Sequence, residues 1–234
     1  MKQIVALFAA LLMAATSYGA DNGIIRKRLF DADWQFSQDS TTWRTVNLPH
    51  DWSIEGDFDK DAPAGHDGAY LPTGKGWYRK QFIIDNLQFT IDKKLRLYFE
   101  GVYMNAEVYV NGQRAGGHPY GYSSFFVDIT PYLKVKGLEG KKVKDDQELN
   151  EIVVKVDNSQ QKNCRWYSGS GIYRHVWLLT TGKRYIDEWS VNVATPDIHT
   201  VEIKAEVVME DGTRTSTSFC PIFTYGVIST KNEE

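Results

Sequence analysis

Four carboxylates, Asp51, Asp67, Glu100 and Asp128, stand beside aromatic segments and are the residues from which acid/base or nucleophilic chemistry could be assembled. Such chemistry needs two carboxyl groups held at a fixed separation across one substrate bond. No pair among these four has a spacing that puts both on one surface, so each reads as a turn cap or a solvated group. His50, His66, His118, His175 and His199 are dispersed, and Cys164 and Cys220 fall in different segments with no CxxC or Cys/His cluster. Neither a metal site nor a disulfide framework is expected from that distribution. There is no GxSxG elbow, HExxH pair or Walker loop, and Gly169-Ser-Gly171 is too short for a phosphate cradle. The expectation is a chain with no cofactor and no catalysis of its own.

Binding chemistry is better represented. Aromatic and polar residues concentrate in residues 65–79, 118–126 and 165–174. Flat rings can cover the C–H faces of a sugar while Asp, Asn and Arg bond its hydroxyls. Taken singly, Trp77, Tyr78, Tyr122, Trp166, Tyr167 and Trp177 read as core or loop-anchoring residues. His50 and Asp51, flanked by Pro49 and Trp52, are expected to tie a loop to the core through side-chain to backbone hydrogen bonds.

The elements that would position these groups are strands. Residues 95–100, 106–110, 151–156 and 174–179 are short runs rich in β-branched and aromatic residues. Asn111-Gly112 suits the positive φ of a tight type I′ hairpin. No sustained 3.6-residue apolar period appears after the first twenty residues, so the fold expected is all-β, a sandwich. Residues 134–150, rich in Lys, Gly, Asp and Glu, read as a solvated loop between strands. After residues 180–183, residues 185–193 and 200–208 look like two further strands, separated by Pro196 and Asp197. Residues 213–234 promise at most one weak strand and a polar tail, which is too little for an independent second sandwich.

The chain carries 27 Lys and Arg against 30 Asp and Glu, with no block of five or six like charges, which argues against a nucleic-acid partner. Lys2, an apolar run over residues 4–15, then Thr16, Ser17, Gly19 and Ala20 read as a secretory signal peptide over residues 1–20. The run is too short to cross a bilayer, which takes about 20 residues. The expected location is therefore periplasmic or extracellular, with no membrane span.

Five motifs occur in order: Leu48-Pro-His-Asp-Trp52; Gly76-Trp-Tyr-Arg-Lys80; Phe99-Glu-Gly-Val102 with Val110-Asn-Gly112; Gly121-Tyr122 with Asp128-Ile-Thr130; and Arg165-Trp-Tyr-Ser-Gly-Ser-Gly-Ile-Tyr-Arg174. Together they resemble the amino-terminal domain of glycoside hydrolase family 2, in particular its exported β-galactosidase-like members. The resemblance implies a jelly-roll, galactose-binding-like sandwich over residues 28–181, the sugar-binding domain. Residues 182–234 would begin an immunoglobulin-like module, incomplete here, ahead of a TIM barrel that carries both catalytic carboxylates. It further implies that the loops of residues 66–71 and 165–167 form one wall of the sugar pocket, with Arg165 first, then Asp67, Tyr70, Trp166 and Tyr167, facing a β-galactoside-like glycan. A structural role for Arg165 would be pairing with a carboxylate inside the sandwich. Two other readings remain: a free-standing, lectin-like carbohydrate-binding module, and a protein whose aromatic loops contact another chain.

Overall fold

The computed structural model describes residues 26–84, 93–134, 149–197, 200–224 and 227–231. The expected signal peptide, residues 1–20, and most of the charged loop, residues 135–148, lie outside the described residues. Two units are resolved, Arg26–Thr180 and a second from Thr181 onward.

The first unit is a sandwich of two sheets. One has four strands in the order β1 (Arg26–Leu29), β10 (Val176–Gly182), β5 (Lys93–Phe99) and β8 (Phe125–Asp128). The other has six, antiparallel throughout: β3 (Arg44–Val46), β2 (Trp34–Ser37), β4 (Gly74–Phe82), β9 (Asn150–Asn158), β6 (Ala106–Val110) and β7 (Gln113–His118).

Period-two alternation builds the core. Ile152, Val154 and Val156 of β9 point inward while Val153, Lys155 and Asp157 point out. They join Phe36, Tyr78, Val108 and Val110 of the same sheet, and Leu95, Leu97, Phe99, Val127, Val176 and Leu178 of the other, in one cluster. Each such fully buried apolar side chain stabilises the fold by about 1.5–3 kcal/mol before ordering entropy is counted. Trp34, wholly buried, donates its Nε1–H to Phe30 O at 2.7 Å, so its burial leaves no polar group unsatisfied.

Asn111 and Gly112 form the expected two-residue turn, with φ of 49° and 81°, and Val110 pairs with Gln113. Asn150 closes the two ends of the charged loop. Its Oδ1 accepts from Lys134 N at 2.7 Å and Asn111 Nδ2 at 2.9 Å, and its Nδ2 donates to Lys134 O at 3.1 Å.

The second unit is an antiparallel sheet in the order β11 (Tyr185–Ile186), β13 (Thr200–Val208), β14 (Arg214–Thr224) and β15 (Val227–Lys231), with β12 (Asn192–Asp197) also on β13. It corrects three expectations. Residues 185–193 are not one strand, because Asp187 caps a turn: its Oδ1 accepts from Trp189 N at 3.1 Å and its carbonyl from Ser190 N at 3.0 Å. Pro196 lies inside β12, at a register shift between Ala194 and Asp197, where a missing N–H does no harm. The region after residue 213 holds two strands rather than one weak one. Its Thr/Ser-rich run suits a pleated strand without looking hydrophobic, and Asp211 fastens the preceding turn through Thr213 N at 2.9 Å. Among the described residues no helix is long and apolar enough to cross a membrane.

Candidate functional site

Past β3 the chain runs through Leu48-Pro-His-Asp-Trp52 beside residues 170–172. His50 N donates to Ile172 O at 2.8 Å and Trp52 N to Ser170 O at 3.1 Å. Asp51 is the clasp between the two segments. Its Oδ1 accepts from Ser53 N at 2.9 Å and Ser170 N at 2.8 Å, and its Oδ2 from the Tyr167 hydroxyl at 2.5 Å. Burial first, then this carboxylate, push the Tyr167 phenol well above its ordinary pKa. Buried Asn158 completes the anchorage, donating through Nδ2 to Gly169 O at 3.1 Å and Ser170 Oγ at 2.8 Å. Its Oδ1 accepts from Gln161 Nε2 at 2.8 Å and Asn163 Nδ2 at 2.9 Å.

The two glycines around Ser170 have a steric cause. Gly171, at φ 126°, exchanges both backbone hydrogen bonds with Tyr103, at 2.9 and 3.0 Å, and a Cβ there would stand 2.7 Å from His50 O and closer still to the Tyr78 hydroxyl. A Cβ on Gly169, at φ 73°, would meet Asp51 Oδ2 at 2.6 Å. The Gly-Ser-Gly run is thus the close approach of one loop to another.

His50 departs from expectation. Its side chain bonds other side chains, not backbone: Nδ1 lies 2.7 Å from the Tyr78 hydroxyl, and Nε2 lies 3.2 Å from both Glu55 Oε1 and Arg44 Nη2. Arg44 also pairs with Glu55. Burial depresses the His50 pKa, and the Glu55 carboxylate only partly counters it. Burial likewise raises the Tyr78 phenol far above its usual range. This network supports the loop from inside.

On this base stands a rim of exposed rings. Trp166, Tyr70, Tyr122 and Tyr167 are 59%, 43%, 42% and 38% exposed. Trp166 Nε1 donates to the Tyr122 hydroxyl at 2.7 Å. Tyr122 in turn packs edge-on against Tyr103 and Tyr120, with centroids 5.1 and 5.7 Å away. Asp67 sits in a 3-10 turn, Gly65–Gly68, with Oδ1 3.0 Å from His66 Nε2 and Oδ2 3.9 Å from Lys162 Nζ, which links the two loops. Tyr70, at φ 56°, closes that turn by donating its N–H to Gly65 O at 2.8 Å. Arg165 is exposed and makes no ion pair among the described residues, so it does not pair with a carboxylate inside the sandwich. Among the described residues, neither Arg165 nor the Tyr70 ring joins the network by a hydrogen bond.

A cleft of about 270 Å³, open to solvent, lies between the loops, with Ser53, Leu71, Asn158, Trp166, Tyr167 and Gly169 among its lining. Its enclosed part has room for about one water, so it cannot enclose a sugar ring by itself. Of the sequence candidates, Trp166 and Tyr167 line this cleft, Asp67 is tied to its far loop through Lys162, and Arg165 and Tyr70 stand exposed on the loops beside it. Sequence reasoning missed Asn158; Asp51 ties its loop to the core by side-chain to backbone hydrogen bonds as expected, and Tyr122, read from the sequence as a core or loop-anchoring ring, stands in the rim and accepts from Trp166. What the Pro-His-Asp-Trp string did not disclose is the identity of the distant partners of Asp51, Tyr167 and Ser170, which lie 116 and 119 residues away.

Residues 20–182 match the model of the glycosyl hydrolases family 2 sugar binding domain. The chain belongs to glycoside hydrolase family 2. Among relatives of this family, it is 41% identical over 206 residues to the beta-galactosidase BoGH2A of Bacteroides ovatus, covering 82% of this chain and 23% of that protein. It is 30% identical over 203 residues to a beta-glucuronidase of Bacteroides fragilis, covering 83% and 26%. A solved family 2 structure from Bacteroides cellulosilyticus superposes with a TM-score of 0.69 at 26% identity, over 87% of this chain and 34% of that one. The chain thus spans about a quarter of the length of these curated relatives.

As a family 2 sugar-binding domain, its four candidate carboxylates are all engaged in holding structure. Asp51 and Asp67 fix the rim loops as described. Glu100 accepts from Trp177 Nε1 at 2.7 Å, and Asp128 from Thr130 N at 2.9 Å. The described residues contain no group of three His, Cys, Asp or Glu side chains placed to hold a metal.

Proposed function

We propose that this chain supplies one wall of the sugar pocket of a β-galactosidase-type family 2 enzyme, and that bond cleavage takes place on parts of that enzyme outside these residues. The observation that carries this reading is the rim itself. Exposed rings at Trp166 and Tyr167, with the guanidinium of Arg165 that makes no ion pair among the described residues, project from a loop that Asp51 and Asn158 hold to the sandwich, beside exposed Tyr122 and Tyr70. Trp166, Tyr122 and Tyr167, fixed by their polar ends, present a stacking face without first paying an ordering cost. A cleft with enclosed room for about one water suits a wall that another surface completes. The greater length of the relatives supports the same view, and the identity to a beta-galactosidase favours a galactoside.

In mechanism, this wall would orient the glycosidic bond. Arg165 would hold a sugar hydroxyl while Trp166 and Tyr122 cover a C–H face, which converts remote binding energy into placement of the reacting bond. The two carboxyl groups that a retaining glycosidase needs, about 5–5.5 Å apart, are assigned to the barrel. Export to the periplasm or the medium belongs to this reading and rests on the apolar run ahead of Gly19 and Ala20. The test is a pair of assays on the purified chain. Aryl β-galactosides should not turn over, and methyl β-galactoside should bind weakly, with affinity reduced about tenfold in Arg165→Ala. Turnover lost with Arg165→Ala would overturn the assignment.

A further inference from the structure

The outer face of the six-stranded sheet carries a second cleft, separate from the rim cluster, of about 710 Å³. That size falls within the roughly 300–1,000 Å³ typical of small-molecule sites. Its floor is one row of cross-strand partners: Trp77 of β4 faces Lys155 of β9, Lys155 faces Glu107 of β6, and Glu107 faces Gly117 of β7. The side chains of this row therefore share one face of the sheet. Gly117 leaves the row open at its end, and Asn105, His118 and Pro119 form the wall there.

The charges in this cleft do not cancel. Lys75, Arg114 and Lys155 stand against Glu107 and Asp157. Both carboxylates are already occupied. Asp157 accepts from Ser159 N at 2.9 Å and Ser159 Oγ at 2.5 Å, with Lys75 Nζ at 3.4 Å. Glu107 accepts from the Tyr109 hydroxyl at 3.0 Å and lies 3.6 Å from Arg114 Nε. Lys155 has no carboxylate partner among the described residues. It is exposed and held 4.5 Å from the centre of the Tyr109 ring, an interaction that fixes its position and leaves its charge available. A surface that joins an indole, a positioned ammonium with no ion-pair partner among the described residues and an amide at Asn105 is complementary to a ligand with flat C–H faces, hydroxyls and a negative charge.

We propose that this sheet face binds an anionic saccharide, with Trp77 stacking on a sugar ring and Lys155 taking its carboxylate or sulfate. The proposal goes beyond the pocket-wall reading and stands on other residues. The experiment is calorimetric titration of the full chain at low salt with three probes: an oligogalacturonate, a sulfated galactan oligosaccharide and a neutral β-1,4-galactan oligosaccharide. Either anionic probe should bind more tightly than the neutral one, and which of the two does so identifies the group that Lys155 takes. Lys155→Ala should weaken that binding about tenfold, the loss of one charge-assisted bond, and Lys155→Glu further. Trp77→Ala should also weaken it, and since Lys155 is exposed, its two variants keep the test valid if the Trp77 variant folds poorly. Added salt should weaken binding in the wild type and have little effect in Lys155→Ala. Equal affinity for the neutral probe, no binding of either anionic probe, or binding unchanged in both Lys155 variants would overturn the proposal.

Discussion

Replacing Asp51 by alanine removes the acceptor of three hydrogen bonds at once, two of them from backbone N–H groups of residues almost wholly out of solvent, Ser53 and Ser170. A buried donor left without an acceptor costs about 1–3 kcal/mol. The third bond, from partly exposed Tyr167, is replaced by water at little cost. Because Asp51 is itself half-buried, water also reaches part of the gap, and the net loss is about 2–4 kcal/mol. At about 2–4 °C per kcal/mol for a chain of this size, the melting temperature falls by roughly 5–15 °C. Asp51→Asn keeps an oxygen at the Oδ1 position for both N–H groups and weakens only the Tyr167 bond, so it should cost about 1 kcal/mol or less. Urea unfolding followed by tryptophan fluorescence measures both variants, since Trp34 and Trp52 are core residues of the same sandwich. An alanine variant within about 0.5 kcal/mol of wild type, or an asparagine variant as unstable as the alanine one, would refute the clasp.

Gly171→Ala should cost about 3 kcal/mol or more, because the new methyl meets His50 O and the Tyr78 hydroxyl at a backbone φ of 126°; thermal melting checks this, and wild-type stability would contradict it. The depressed pKa of buried His50 means that the folded protein takes up a proton there less readily than the unfolded chain. Stability from this group is therefore present above the unfolded value of 6.5 and is lost as pH falls below it. Unfolding free energy measured from pH 7 down to about pH 5 should drop less steeply in His50→Gln than in wild type. Tyr122→Phe removes the acceptor of the Trp166 indole bond and leaves the ring in place, so it should barely change stability, by about 0.5 kcal/mol, while blue-shifting or broadening the emission of exposed Trp166.

The sandwich was legible because its signals are local. The alternation over residues 151–156, the β-branched run of residues 106–110 and the Asn111-Gly112 turn each fix strand or hairpin geometry without help from distant parts. The second unit was harder. β14 is built on Thr and Ser, whose strand preference is steric and leaves no hydrophobic trace, and the β11 turn depends on one Asp side chain capping two residues ahead. The rim was half legible. Trp166, Tyr167 and Arg165 stand out by type, and so does Asp67. Asp51 was expected to anchor its loop, but the pairings that hold the rim were hidden, since Asp51 meets Ser170 across 119 residues and the Trp166 partner, Tyr122, lies 44 residues away. The same distance hid the role of His50, whose phenol partner Tyr78 comes from a strand 28 residues on. Such contacts follow from topology, which spacing alone does not encode.

If the clasped aromatic loops offer a ready sugar-facing surface, a crystal of this chain soaked in methyl β-galactoside at high concentration will show it. The expected result is a pyranose ring against Trp166 and Tyr122, with a hydroxyl on Arg165 and the loops of residues 65–70 and 165–170 unmoved. A sugar bound elsewhere on the sandwich, or a rim that rearranges to meet it with the Asp51 bonds broken, would rule out a preformed sugar-facing rim.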